Sequence, residues 1–142
     1  MAMADLHNNV KCTTAFAPKA AVTDNTAQVS NIVDTAGFGS LELVGILGSN
    51  ADADMTYTVL IEHGDDASLT DAAAVDDAFL LGVEAMSLDY TSDNKTFKIG
   101  YCGDKRYVRA TVTPANNTGN VFLAGAWIQG HPRKSPQSTQ VN

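Results

Sequence analysis

From about residue 27 onward the chain is a series of short runs in which apolar and polar side chains alternate, the period of a half-buried strand. Residues 55–62 show it most cleanly: Met55, Tyr57, Val59 and Ile61 face one way, Thr56, Thr58, Leu60 and Glu62 the other. Residues 40–47 set Leu41, Leu43, Gly45 and Leu47 against Glu42, Val44 and Ile46. Residues 96–101 oppose Phe97, Ile99 and Tyr101 to Lys98, and residues 105–113 oppose Val108, Ala110 and Val112 to Tyr107, Arg109, Thr111 and Thr113. Residues 121–129 set Val121, Leu123, Gly125 and Trp127 against Phe122, Ala124, Ala126 and Ile128; further runs lie at 28–34 and 79–88. Turn chemistry separates them: Ala36-Gly37, Gly48-Ser49-Asn50, His63-Gly64-Asp65-Asp66, Ser92-Asp93-Asn94-Lys95, Cys102-Gly103-Asp104, and the stretch 114–120. Seven or eight strands at this spacing predict an all-β fold, an antiparallel β-sandwich of jelly-roll-like form, occupying residues 26–132.

Three segments stand outside the pattern. Residues 1–25 have neither period, and Pro18 biases Ala17 to extended geometry; they read as an extended N-terminal arm that cannot bury itself. Residues 69–79, Ala-rich and acid-flanked, suit either a short helical turn capped by Thr70 or Asp71 or a long loop across one end of the sandwich. The polar residues 133–142 read as a flexible C-terminal tail.

The chain's 142 residues fit one domain, and a chain of this size buries roughly 70% of its unfolded surface, so a core needs no metal or disulfide staple. The charge-free stretch 111–130 contains Pro-Ala-Asn-Asn-Thr-Gly-Asn and cannot cross a bilayer as a helix, so no membrane partner is expected; no basic segment followed by an apolar run marks a signal peptide. Cys12 and Cys102 accompany no metal-binding spacing; a disulfide requires the N-terminal segment to lie beside the strand carrying Cys102. The net charge is −7, unevenly spread: residues 26–104 hold 14 acids and two bases, residues 105–142 five bases and no acid. So acidic a body repels phosphate backbones, which argues against nucleic acid as a partner. It is either a solvated surface or one suited to meeting patterned charge.

Signatures of chemistry are sparse. His7, His63 and His131 have no ligand spacing, and no nucleophile elbow, phosphate loop or dinucleotide fingerprint occurs; catalytic, metal and cofactor sites are all expected to be absent. Asn50-Ala-Asp52-Ala-Asp54 begins like a calcium loop but lacks its later glycine and glutamate, so turn-forming aspartates are the expectation, with weak calcium binding the alternative. Trp127, mid-strand among apolar residues, reads as a core anchor; of the aromatics only Tyr90 sits where a sugar-binding ring would.

Two stretches carry a resemblance. One is Thr56-Tyr57-Thr58-Val59-Leu60-Ile61-Glu62-His63-Gly64-Asp65-Asp66. The other is Asp104-Lys105-Arg106-Tyr107-Val108-Arg109-Ala110-Thr111-Val112-Thr113-Pro114, continuing through Gly119-Asn120-Val121-Phe122-Leu123-Ala124-Gly125-Ala126-Trp127 to Gly130-His131-Pro132-Arg133. Together, over roughly residues 26–135, they resemble the small capsid decoration proteins (cement or head-stabilising proteins) of tailed bacteriophages and prophages. The resemblance implies a viral structural protein, not an enzyme, on the outer surface of the virion. It implies a homotrimer at local three-fold axes, with the major capsid protein as partner, held by avidity. The arm then orders on the capsid or on a neighbouring protomer through Leu6, Val10, Phe16 and Val22, while Lys105, Arg106, Arg109 and Arg133 are candidate interface charges. The competing expectations are a carbohydrate-binding β-sandwich module displayed on the virion and, behind it, a small glycan hydrolase.

Overall fold

The computed structural model describes residues 5–138. Its strands are β1 (Val10–Phe16), β2 (Gln28–Val29), β3 (Val33–Asp34), β4 (Phe38–Leu47), β5 (Thr56–Gly64), β6 (Ala73–Ala74), β7 (Leu80–Leu81), β8 (Leu88–Asp89), β9 (Thr96–Tyr101), β10 (Tyr107–Ala115) and β11 (Leu123–Pro132). The first sheet runs β1-β11-β4-β9-β7 and the second β2-β10-β5-β6, with β3 also on β10 and β8 also on β5. Every pairing is antiparallel. Taking β2 with β3, and β6 with β8, as single interrupted strands leaves a sandwich whose chain crosses repeatedly between sheets. The order is that of an eight-stranded jelly roll with β7 added at one edge. The expected fold class is therefore the observed one.

The apolar side of each alternation forms the core. Leu41, Leu43 and Leu47 of β4, Phe97, Ile99 and Tyr101 of β9, and Trp127 of β11 face Tyr57, Val59 and Ile61 of β5 and Val108, Ala110 and Val112 of β10. Full burial of one such large side chain contributes roughly 1.5–3 kcal/mol. Two polar groups on the inner face of β11 reach across to the chain around β3: Trp127 Nε1 donates to Asn31 O (3.0 Å) and Gln129 Nε2 to Asp34 O (2.7 Å). At about 1 kcal/mol each these bonds add less than the apolar contact, and their effect is to fix how the sheets sit. Between β2 and β3, Ser30 Oγ accepts from Ala110 N (2.9 Å), replacing the interrupted ladder.

The paired glycines Gly45 and Gly125 open a hollow inside the first sheet. A Cβ on Gly45 would fall within the Phe97 ring, and one on Gly125 would lie 2.9 Å from Phe16 Cδ2. Two aromatic rings occupy the space those methyl groups would take.

Four expectations are corrected. The arm is no separate arm over residues 10–16, because β1 pairs with β11 from Val10↔Gly130 to Phe16↔Gly125, burying Ala15 and Phe16. Residues 79–88 do not form one strand: Gly82 takes φ +104, leaving β7 in one sheet and β8 in the other. Residues 69–79 hold β6 and the single 3-10 turn Asp77–Phe79, capped not by Thr70 or Asp71 but by Asp76, which accepts from Ala78 N (2.9 Å). The tail is tied down as far as residue 137: Arg133 N donates to Gly37 O (2.8 Å), and Gln137 N and Ser135 Oγ donate to Asn8 O (2.8 and 3.1 Å). The remainder of the expected arm and tail, residues 1–4 and 139–142, lies outside the described residues.

Candidate docking face

The two outer faces of the sandwich differ in chemistry. On the second sheet, Thr113 pairs with Thr58, Thr111 with Leu60 and Arg109 with Glu62. Arg109 Nε and Nη2 both donate to Glu62 Oε2 (3.1 and 2.8 Å), and Arg106 grips both carboxylate oxygens of Asp34 (2.9 and 2.8 Å) while its guanidinium lies 5.1 Å from the Tyr107 ring centroid. Hydroxyls and paired charges are what the wet face of an antiparallel sheet ordinarily carries, and here they surround the exposed Val29 and Leu60, which flank Thr111.

The outer face of the first sheet is apolar where water would favour polar residues. Its cross-strand rows read Thr14, Ala126, Val44, Lys98; then Cys12, Ile128, Glu42, Gly100, Leu81; then Ala124, Ile46, Thr96. Ile46 is 52% exposed and Leu81 63%. Glu42 and Lys98 are the only charged residues in these rows. Phe16 and Pro18 bound one side, giving an open hollow of about 420 Å³ over Val44, Ile46, Ala124, Ala126 and Ile128. A second hollow of about 440 Å³ begins at Glu42, Leu81 and Ile128 and reaches Leu6, Val10 and His131.

Glu42 sits awkwardly here. Gly100 stands opposite it, and a Cβ at that position would meet Glu42 Oε2 at 2.9 Å and Leu81 Cβ at 2.9 Å. Burial pushes the Glu42 carboxyl above its ordinary range, against the opposing pull of Lys98.

The sequence-predicted residues are scattered. Leu6 is exposed, Val10 is half-buried at the start of β1, Phe16 is in the core, and Val22 forms a bridge with Val121. Of the four cations, Lys105 pairs with Asp65 (2.6 Å), Arg106 with Asp34 and Arg109 with Glu62 inside the same chain. Arg133 makes no ion pair among the described residues and lies beside Lys11 and Lys134. Cys12 and Cys102 form no disulfide, since β11 and β4 stand between β1 and β9.

The aspartates of the calcium-like stretch act within their loops. Asp52 Oδ2 accepts from Thr118 N and Oγ1 (both 2.7 Å), and Asp52 Oδ1 from Asp54 N (3.3 Å). Hydrogen bonds from Asp54 and Thr118 hold the Asp52 carboxyl far below the usual range, and the same contact pushes Asp54 up. Among the described residues no three His, Cys, Asp or Glu side chains are grouped to hold a metal ion. His63 Nδ1 meets the Tyr101 hydroxyl at 2.9 Å and His131 Nδ1 meets Ser40 Oγ at 3.0 Å.

The apolar outer face is the feature the sequence reading passed over. Its signal was present in residues 40–47 and 121–129, where both sides of the alternation carry Val, Ile or Ala.

No known protein family matches the chain, and neither does any curated protein. Among solved structures it is similar to the xylan-binding module CBM15, at 8% identity over 92% of this chain and 96% of that one, with a TM-score of 0.41. It is also similar to the CBM22-1 xylan-binding domain of Paenibacillus barcinonensis Xyn10C, at 9% identity over 90% and 87% of the two chains, TM-score 0.42. A weaker likeness joins it to the VP2 subviral particle of infectious bursal disease virus, at 12% identity over 87% of this chain and 41% of that one, TM-score 0.27. Superpositions this loose transfer neither a ligand nor a site.

Proposed function

We propose that this chain is a non-catalytic docking module that seats the outer face of its first sheet on an extended protein surface. One observation carries the reading: a sheet face of Val44, Ile46, Ala124, Ala126, Ile128 and Leu81, with Ile46 and Leu81 more than half exposed. Contiguous apolar surface rimmed by polar residues marks interaction sites. The sequence resemblance names the surface as the outside of a mature phage head, where several copies bound at once add weak contacts into strong attachment. Binding only the mature shell would stabilise that state by linkage.

The test is co-sedimentation with expanded, undecorated phage heads. The native chain is expected to pellet with the heads. Ile46→Asp, which puts a charge on an exposed side chain of the patch, is expected to weaken binding about tenfold or more. Native protein that stays in the supernatant, or an Ile46→Asp variant that pellets undiminished, overturns the reading.

A carbohydrate-binding role is the second reading, and the outer face of the second sheet favours it. Thr58, Thr111 and Thr113, the Tyr107 ring and the Arg109–Glu62 pair offer hydroxyl-binding groups on one surface. Against it, the exposed aromatics Phe79, Tyr90 and Phe122 sit on three separate segments and build no common platform. Retarded migration through a xylan-containing affinity gel, abolished by Tyr107→Ala, would support it.

A further inference from the structure

Two groups of charged side chains that make no ion pair among the described residues lie on opposite edges of the sandwich. On one side is Lys11 of β1, the edge strand of the first sheet. Arg133 and Lys134, which follow β11, share a hollow with it, floored by Gly37 and Phe38. On the other side are Asp76 and Asp77, in the connection from β6 to β7, the edge strands of the second and first sheets. All but the half-buried Lys11 are exposed.

Each charged edge also carries apolar surface. Phe79 and Val83, 43% and 58% exposed, follow the two aspartates, and Leu6, 70% exposed, precedes β1 on the basic side. No strand pairs with the far side of β1 among the described residues.

The layout selects among modes of self-association. A two-fold contact through either edge sets like charge against like charge. Among edge-to-edge contacts a head-to-tail one brings acid to base, and such contacts close into rings or grow into filaments.

We propose that copies of this chain associate edge to edge, Lys11, Arg133 and Lys134 of one protomer meeting Asp76 and Asp77 of the next, with Phe79 and Val83 packed beside Leu6. The contact uses the edges of the sandwich; Leu6 also lines the hollow that reaches the outer face of the first sheet, but Asp76, Asp77, Arg133 and Lys134 line neither hollow on that face, so reversing their charges leaves it unaltered.

Charge reversal tests it, with mass read by sedimentation velocity in low and high salt. The native chain is expected to exceed monomer mass and to dissociate as salt rises. The pair Asp76→Lys and Asp77→Lys makes both edges basic; the pair Arg133→Glu and Lys134→Glu makes both acidic. Each double variant is expected to raise the dissociation constant about tenfold or more. The chain carrying all four reversals restores complementarity and is expected to recover the native mass. Circular dichroism shows that each variant keeps its sheets. A native chain that stays monomeric at every concentration overturns the proposal. So do double variants that associate as the native chain does, or a fourfold variant that fails to recover. Head binding that survives monomerisation at reduced strength leaves the docking reading intact, so the two fail separately.

Discussion

Glu42 shows how one residue records the conflict between folding and a binding face. Its carboxyl lies among Val44, Ile128 and Leu81, over a glycine that leaves it room, and burial raises its pKa. Folding therefore favours the protonated form. That preference stabilises the protein below the ordinary glutamate range and is lost as pH rises through the folded value. Glu42→Gln is expected to melt above the native chain at pH 7 and level with it at about pH 3, in paired thermal scans. Equal melting at both pH values would remove Glu42 from the account. Tyr57 behaves in the same sense at the other end of the scale: burial foremost, then Asp93, pushes its phenol up to about 12, and its hydroxyl donates to Asn50 Oδ1 (2.5 Å). Tyr57→Phe is expected to cost about 1 kcal/mol in urea unfolding at neutral pH.

At the scale of elements, β4 and β11 are the centre of the design. Their inner faces make the hollow at Gly45 and Gly125 that Phe97 and Phe16 fill, and their outer faces make the apolar patch. Gly45→Ala is expected to destabilise by about 1–3 kcal/mol through overpacking against Phe97, read as a lower denaturation midpoint. An unchanged midpoint would mean that the ring moves aside freely. Period-two alternation made the long strands legible in the sequence, because β4, β5 and β10 bury alternate side chains along most of their length, β9 does so over residues 96–99, and β11 does so at Trp127 and Gln129. It could not reveal β1, whose apolar content is small and whose place depends on a partner more than a hundred residues away. Nor could it separate β7 from β8, since one glycine conformation divides them. The candidate face was half-legible: Val44 and Ile46 announce a second apolar side, but only the sheet order brings them beside Ala124, Ala126 and Ile128.

For the whole molecule, the acidic composition sets the response to pH. Asp34, held below the usual range chiefly by Arg106, and Asp71, held there by the Asp65 and Asp66 backbone, ionise more readily folded than unfolded. Stability from such groups is present above the unfolded carboxylate pKa and lost as pH falls through the folded values. The melting temperature is expected to fall steeply below about pH 4, and less steeply in an Asp34→Asn variant, which has already lost that contribution.

The pairing of β1 with β11 has a further consequence in the cell. While the chain is being made, its first strand leaves the ribosome long before the strand that will hold it. Until synthesis reaches residue 132 the inner side of the first sheet stays open to chaperones. A chain cut short within β11 leaves β1 without its partner strand and the apolar side of the first sheet uncovered.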